Sequence, residues 1–314
     1  MTLFENGLCK EARFFIAIRR WRRSNLFIIN MQLLKNIFDD CDLIVERFEE
    51  VHGGDINKAY CLFTSAGKYF LKVNDKNEYP LMFEREANGL DKLREHCTLI
   101  IPGVIKHGSC GDQQYLLLEW LEKGFPKKDT WEKFGQGLAL MHQQPQEYFG
   151  LNEDNYIGSL NQNNDRHNEW DSFYAERRIM PLVKKLFDAG SFSSTNIKDA
   201  EYFCTMIKDI FPSEPPSLLH GDLWAGNYMI SSSGYATIFD PAVYFGHREM
   251  DIGMTKLFGG FDQRFYGAYN ESYPLEKGWE KRLPITQLYP LLVHAVLFGG
   301  HYISNVKDIL KQFE

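Results

Sequence analysis

The sequence predicts an α+β fold of two lobes, a small antiparallel β-rich lobe followed by a larger, mostly helical one. Three observations carry this. Short apolar runs separated by glycine-containing turns fill residues 43–73, helical apolar spacing dominates beyond residue 121, and no internal repeat or low-complexity tract interrupts either part. At 314 residues, 44% hydrophobic and 15% aromatic, the chain can bury two modest cores. The expected organisation is a tail of doubtful structure over 1–30, a first lobe over 31–121 and a helical lobe over 122–314.

The elements follow in order. A helix is expected over 32–39. Strands over 43–48, 58–64 and 68–73 flank the turns Gly53-Gly-Asp-Ile-Asn57 and Ser65-Ala-Gly67, which makes an antiparallel meander. A helix over 80–95 places Phe83, Ala87, Leu90 and Leu93 on one face. Two more strands fit 104–107 and 114–119. Beyond Leu121, Asp129 is expected to cap a helix over 131–143. Further helices suit 170–189 and 197–211, the latter stopped by Pro212. Strands fit 228–230 and 235–239, and helices fill the chain from Met250 on.

Composition narrows the function. A formal charge of −7 gives no polyanion-binding signature, so nucleic acid is not an expected partner. The six cysteines (Cys9, Cys41, Cys61, Cys97, Cys110, Cys204) contain no C-x-x-C pair and read as reduced thiols of a cytoplasmic protein. The first thirty residues are net +4 against −11 for the rest, with apolar blocks set between basic ones. Their apolar runs are far below the roughly 20 residues of a membrane span, and the block order is not that of a signal peptide. No membrane association is expected, and Met31 is read as the functional start.

The most informative stretch is His220-Gly-Asp-Leu-Trp-Ala-Gly-Asn227, followed by Asp240 in Ile238-Phe-Asp-Pro-Ala. An Asp and an Asn five apart on a loop, with a second Asp at a strand end, suit phosphoryl transfer. Asp222 would orient or accept the proton of an attacking hydroxyl, while Asn227 and Asp240 would hold Mg²⁺ against the phosphates of ATP. His220 is read as bracing the loop rather than as an acid or base. Taken singly, each of these residues could be an ordinary turn element.

The ordered set makes the difference. Lys72, between Leu71 and Val73 on the third strand, is a candidate point charge for the α/β-phosphates. Glu86 on the following helix is its expected partner and is preferred to Glu84, because it shares a face with Leu90 and Leu93. Gly53 and Gly54 could fold backbone N–H groups over phosphates, although any hairpin can carry Gly-Gly. Glu119, Trp120 and Leu121 end a strand where backbone could meet an adenine edge. Together these residues describe a protein-kinase-like fold. No G-x-x-x-x-G-K-[ST], G-x-S-x-G or H-E-x-x-H is present.

Further motifs narrow the branch: Phe70-Leu-Lys-Val-Asn74, Asn155-Tyr-Ile-Gly158, Trp170 with Phe173-Tyr174, Tyr244-Phe-Gly-His-Arg-Glu-Met-Asp251, Leu257-Phe-Gly-Gly-Phe261 and Leu297-Phe-Gly-Gly300. With them the chain, from about Met31 to Tyr302, resembles the fructosamine kinase (ketosamine-3-kinase) family, a branch of the aminoglycoside-phosphotransferase-like kinases. The resemblance implies ATP- and Mg²⁺-dependent phosphorylation of the C3 hydroxyl of a ketosamine, small or protein-bound, in deglycation. It makes Trp224 a candidate platform for the sugar, although such a Trp could also be core. It also makes His247, Arg248 and Glu249 candidates to shape the pocket or brace the metal loop. The alternative for Arg248 is a buried ion pair with Asp251. Some members carry a cysteine in the nucleotide-covering loop, where this chain has Asp55, so the associated redox dimerisation is not expected; the apolar content gives no clear interface, and a monomer is expected. Cys61 is read as packed. The other readings are a kinase for a different small hydroxylated amine and a nucleotide-binding pseudokinase.

Overall fold

The computed structural model describes residues 25–52, 56–144 and 146–313, with side chains from residue 31 onward. Gly53, Gly54 and Asp55 therefore lie outside the described residues. The chain divides into two compact units, the first holding residues up to Phe83 with Val104–Trp120, the second Glu84–Gly103 with Leu121–Glu314.

In the first unit, helix α1 (Asn25–Asp40) packs on a five-stranded antiparallel sheet. The strands β1 (Val45–Val51), β2 (Lys58–Thr64), β3 (Gly67–Asp75), β4 (Val104–Cys110) and β5 (Gln113–Glu119) stand in the order β1-β2-β3-β5-β4. Side chains alternate between the faces of a strand. Tyr60, Leu62, Leu71, Val73, Tyr115 and Leu117 accordingly share one face and bury Leu34, Ile37 and Phe38 of α1. Lys72 pairs in register with Ala59 and Leu116 and lies on the opposite face, only 5% exposed. The Tyr115 hydroxyl and the Lys106 ammonium both reach Asp40 and pin the end of α1.

Most of helix α2 (Met82–His96) belongs to the second unit, and Phe83, Ala87, Leu90 and Leu93 are all buried, as their spacing predicts. Helix α3 (Thr130–His142) follows, but Asp129 does not cap it through its side chain. Thr130 does the local work instead, its hydroxyl accepting from the Lys127 N–H and donating to the Gly234 carbonyl. After the short pair β6 (Asn155–Ile157) and β7 (Leu160–Gln162), the helix expected over 170–189 is interrupted. It runs as α4 (Trp170–Phe173), a π-helical turn over Tyr174–Ile179, and α5 (Met180–Asp188). The π turn carries Arg178 into the core, where its guanidinium reaches the Asn163 carbonyl and the Asn164 side chain.

Helix α6 (Ser194–Ile210) starts on a capping box between Ser193 and Asn196 and ends just before Pro212. Four three-residue strands then form two hairpin-like pairs. β8 (Ser217–Leu219) pairs with β11 (Tyr244–Gly246), and β9 (Tyr228–Ile230) pairs with β10 (Ala236–Ile238). Helices α7 (Glu249–Leu257), α8 (Gln263–Ser272), α9 (Trp279–Thr286), α10 (Leu288–Phe298) and α11 (His301–Leu310) complete the unit. Their core includes Phe173, Tyr174, Leu219, Ala242, Tyr244, Leu288 and Tyr289. Among the described residues no helix is long and apolar enough to cross a membrane.

Candidate active site

The two small strand pairs explain how residues far apart in sequence meet. Asn227 immediately precedes β9 and Asp240 follows β10 by two residues, so the hairpin register brings them side by side. The Asn227 side-chain amide donates to the Asp222 backbone carbonyl at 2.9 Å, to the Asp222 carboxylate at 2.9 Å and to the Asp240 carbonyl at 3.4 Å. Its N–H₂ group is thereby committed inward, and its carbonyl oxygen is left as an acceptor. Asp240 is exposed and sits at φ 55°, a left-handed conformation uncommon in non-glycine residues.

The loop itself is held from three sides. Gly221 has φ +83°, and a Cβ there would strike the Ala242 carbonyl oxygen, so only glycine fits. The His220 carbonyl accepts from the Ala242 N–H at 2.9 Å. The buried His220 ring donates Nε2–H to the Phe239 carbonyl at 3.1 Å and accepts the Asp222 N–H at Nδ1. Both ring nitrogens are engaged in holding backbone. Burial pushes its pKa below the ordinary value, which keeps the ring neutral.

Asp251, on the first turn of α7, anchors the loop, a role the sequence did not suggest; there it stood only as a partner for Arg248. Its carboxylate accepts the His220 N–H at 2.8 Å and the Gly221 N–H at 3.0 Å. It also accepts Nε2–H of His142 at 3.2 Å, while Nδ1 of that ring accepts the Tyr269 hydroxyl at 2.8 Å. The segment beyond Asp240 has its own support. Asn155 donates to the Val243 carbonyl and Gln162 to the Ala242 carbonyl, and Tyr289 in turn donates to Gln162. The Asn155-Tyr-Ile-Gly158 motif thus serves the loop from below.

Asp222 is the candidate proton acceptor. Burial first, and then the neighbouring Asp240 and Asp251 carboxylates, raise its pKa to about 7, against the pull of the Asn227 amide. A carboxylate poised there is suited to accept a hydroxyl proton near neutrality. The oxygens of Asn227 and Asp240 are hard donors that suit a Mg²⁺ ion. Among the described residues no group of three His, Cys, Asp or Glu could hold a metal. A two-residue protein set fits an ion that takes its remaining ligands from phosphates and water.

Arg248 requires a correction. It does not pair with Asp251. Its guanidinium forms a fork with Glu214 at 2.7 and 2.6 Å and donates to the Tyr273 and Pro274 carbonyls, and it is only 2% exposed. All three nitrogens are engaged. His247 is also buried, donating to the Pro212 carbonyl and accepting the Glu249 N–H, while Glu249 forms a fork with Arg282. This run braces helices rather than facing a substrate, because every polar group in it has a protein partner.

Trp224 differs. It is 37% exposed, and its ring closes over Gly226, where a Cβ would collide with the indole. Lys72 and Glu86 lie in the first and second unit respectively, and the last of the three crossings between units falls between Trp120 and Leu121, next to Glu119.

The family model described as fructosamine kinase matches residues 30–313. The chain belongs to that family. Among its relatives, a Synechocystis sp. protein named "Probable ketoamine kinase" is 38% identical over 274 residues, covering 85% of this chain and 90% of the relative. The chloroplastic protein-ribulosamine 3-kinase of Arabidopsis thaliana is 35% identical, covering 100% of this chain and 98% of the relative. The solved structure of a Thermobifida fusca protein described as a fructosamine-3-kinase aligns with TM-score 0.80 at 33% identity, over 89% of this chain and 97% of that one. The family therefore accounts for the bilobal kinase-like fold.

Proposed function

We propose that this chain transfers the γ-phosphoryl group of ATP to the C3 hydroxyl of a ketosamine. One observation carries the reading: Asn227 ties the Asp222 carboxylate to the Asp240 turn, so that a proton acceptor with pKa about 7 stands beside two hard oxygen donors. The family relationship supports the ketosamine as acceptor.

Asp222 takes the hydroxyl proton as the substrate oxygen bonds to the γ-phosphorus. The bond from that phosphorus to the bridging oxygen breaks, and ADP leaves with the electron pair. Asn227 and Asp240 would hold Mg²⁺, which offsets charge on the phosphates. Asp251 and His220 keep the loop rigid, so that little reorganisation is needed during transfer. We assign Lys72, Glu86 and the stretch Glu119, Trp120 and Leu121 to the nucleotide, and Trp224 to the sugar, on sequence grounds. The 3-phosphate product stands next to the C2 carbonyl, a placement that favours elimination of phosphate and release of the amine. That outcome assigns the protein to deglycation, in a reducing compartment such as the cytoplasm.

The test is ADP release by purified protein with ATP and Mg²⁺, offering ribulosyl-lysine, fructosyl-lysine and an aminoglycoside in parallel. Preferential turnover of a ketosamine is expected, and it also identifies the sugar. Turnover of the aminoglycoside alone would sink the substrate assignment and leave the kinase standing.

A further inference from the structure

Two copies of one local device stand at helix ends in the second unit. Helix α7 runs out into Phe258-Gly259-Gly260 and helix α10 into Phe298-Gly299-Gly300. All four glycines have positive φ, +71°, +92°, +65° and +60° in chain order, so each helix stops abruptly at its phenylalanine. Neither ring is driven into the core: Phe258 is 41% and Phe298 is 55% exposed. The first turn is docked on the catalytic loop. Gly260 has no room for a Cβ against Ala225, and its carbonyl accepts the Tyr228 hydroxyl at 2.5 Å.

The result is a continuous aromatic strip that begins two residues past Asp222. Trp224 meets Phe258 edge-on at 5.7 Å, Phe258 meets His294 at 5.2 Å, and His294 meets Phe298 at 5.5 Å and Tyr302 at 5.0 Å. Trp224, Phe258 and Phe298 are all partly exposed, and a contiguous exposed apolar strip of this kind marks a ligand groove or interaction site. At its middle is one polar group. His294 donates Nδ1–H to the Pro290 carbonyl at 2.7 Å, which leaves Nε2 as an acceptor with no partner among the described residues. Burial holds the pKa of the ring below its ordinary value, so at neutral pH it stays an acceptor and does not repel a cation.

We propose that Phe258 and His294, next to Trp224, form the subsite for the amine of the ketosamine, His294 Nε2 accepting an N–H of the secondary ammonium beside the Phe258 face. The carbon skeleton that carries the amine then lies along Phe298 and Tyr302. The inference rests on the ketosamine reading above and deepens it. The chemistry fits on three counts. Only four bonds separate the C3 oxygen from the amine nitrogen, so a group bound at Asp222 places its ammonium near the start of the strip. An ammonium is attracted to aromatic faces. The chain's net charge of −7 favours a cationic ligand.

The experiment compares N-butyl-ribulosamine with 1-O-butyl-ribulose, a neutral isostere lacking the N–H, by kcat/KM in ADP release. The wild type should prefer the amine, and His294→Ala should lower that preference by about tenfold, the loss expected for one hydrogen bond to a charged group. Phe258→Leu, which keeps apolar volume but removes the π face, should lower it by a few-fold. A preference unchanged in both variants overturns the subsite while leaving the ketosamine kinase intact. If His294→Ala fails to fold, Phe258→Leu decides alone. A wild type inert toward both compounds overturns the subsite and the function together.

Discussion

The loop at 220–227 is partly exposed and carries one acid, Asp222, whereas the run at 247–251 is buried throughout and carries four ionisable side chains, and the two treat their charges in opposite ways. In the run, Arg248 and Glu249 each meet an oppositely charged fork, Glu214 and Arg282, and His247 has both ring nitrogens occupied. In the loop, Asp222 faces two further carboxylates and is steadied by a neutral amide alone. Full satisfaction makes a brace; incomplete satisfaction leaves a group that can still exchange a proton or bind a ligand. Asp251 belongs to both, since it sits in the brace and holds the loop by two backbone N–H groups.

The sharpest way to break this contrast is Asp222→Asn. Turnover should fall by about 10²–10⁴-fold with removal of the proton acceptor. The melting temperature at pH 8 should stay level or rise, because a disfavoured carboxylate has been removed. Wild-type turnover in this variant would remove the mechanism altogether.

Arg248→Met tests the other side. Leaving Glu214 without its guanidinium should cost about 3–5 kcal/mol in urea unfolding, while turnover per folded molecule changes by less than about tenfold. If stability holds and turnover collapses, Arg248 faces the substrate and the contrast drawn here fails.

A subtler effect separates the two regions by pH. The folded-state pKa of Asp222 is raised, so this group contributes stability at low pH that is lost as pH rises through about 7. For His220 and His247 the folded pKa is depressed, so their contribution is present above about 6.5 and is lost as pH falls below it. Melting scans in EDTA should therefore show the gap between Asp222→Asn and wild type widening from pH 5 to pH 8. The general acid destabilisation below about pH 6.5 should persist in both proteins. A gap that does not change with pH would mean that Asp222 is no more perturbed than a surface carboxylate.

Much of the site was legible because its chemistry is local. Asp222 and Asn227 share one loop, and Asp240 follows at the far end of a hairpin, so their spacing alone places them together. The α2 face was legible for the same reason, since Phe83, Ala87, Leu90 and Leu93 repeat at the helical period. For Arg248 the alternative of a buried ion pair held in kind but not in partner, because Asp251 was the acid visible nearby in sequence, whereas the partner in space, Glu214, lies 34 positions away. The capping role given to Asp129 failed because Thr130 found the Gly234 carbonyl, 104 positions distant. The strands β8 and β11 are too short to leave a periodic signal, yet they fix both ends of the catalytic segment.

What the sequence determined by itself was the order of the parts: a strand-rich first unit, a helical second one, and the set Asp222, Asn227 and Asp240 with its glycine-punctuated loops. These depend on local propensity, periodicity and short spacing, which any stretch of chain carries within itself. The tertiary structure alone decided which polar residues are reactive and which are structural. That depends on the hydrogen-bond partner and the burial each side chain acquires from distant segments. Asp222 and Arg248 are both charged residues in dense motifs, and only packing gave one a raised pKa and the other a full set of partners.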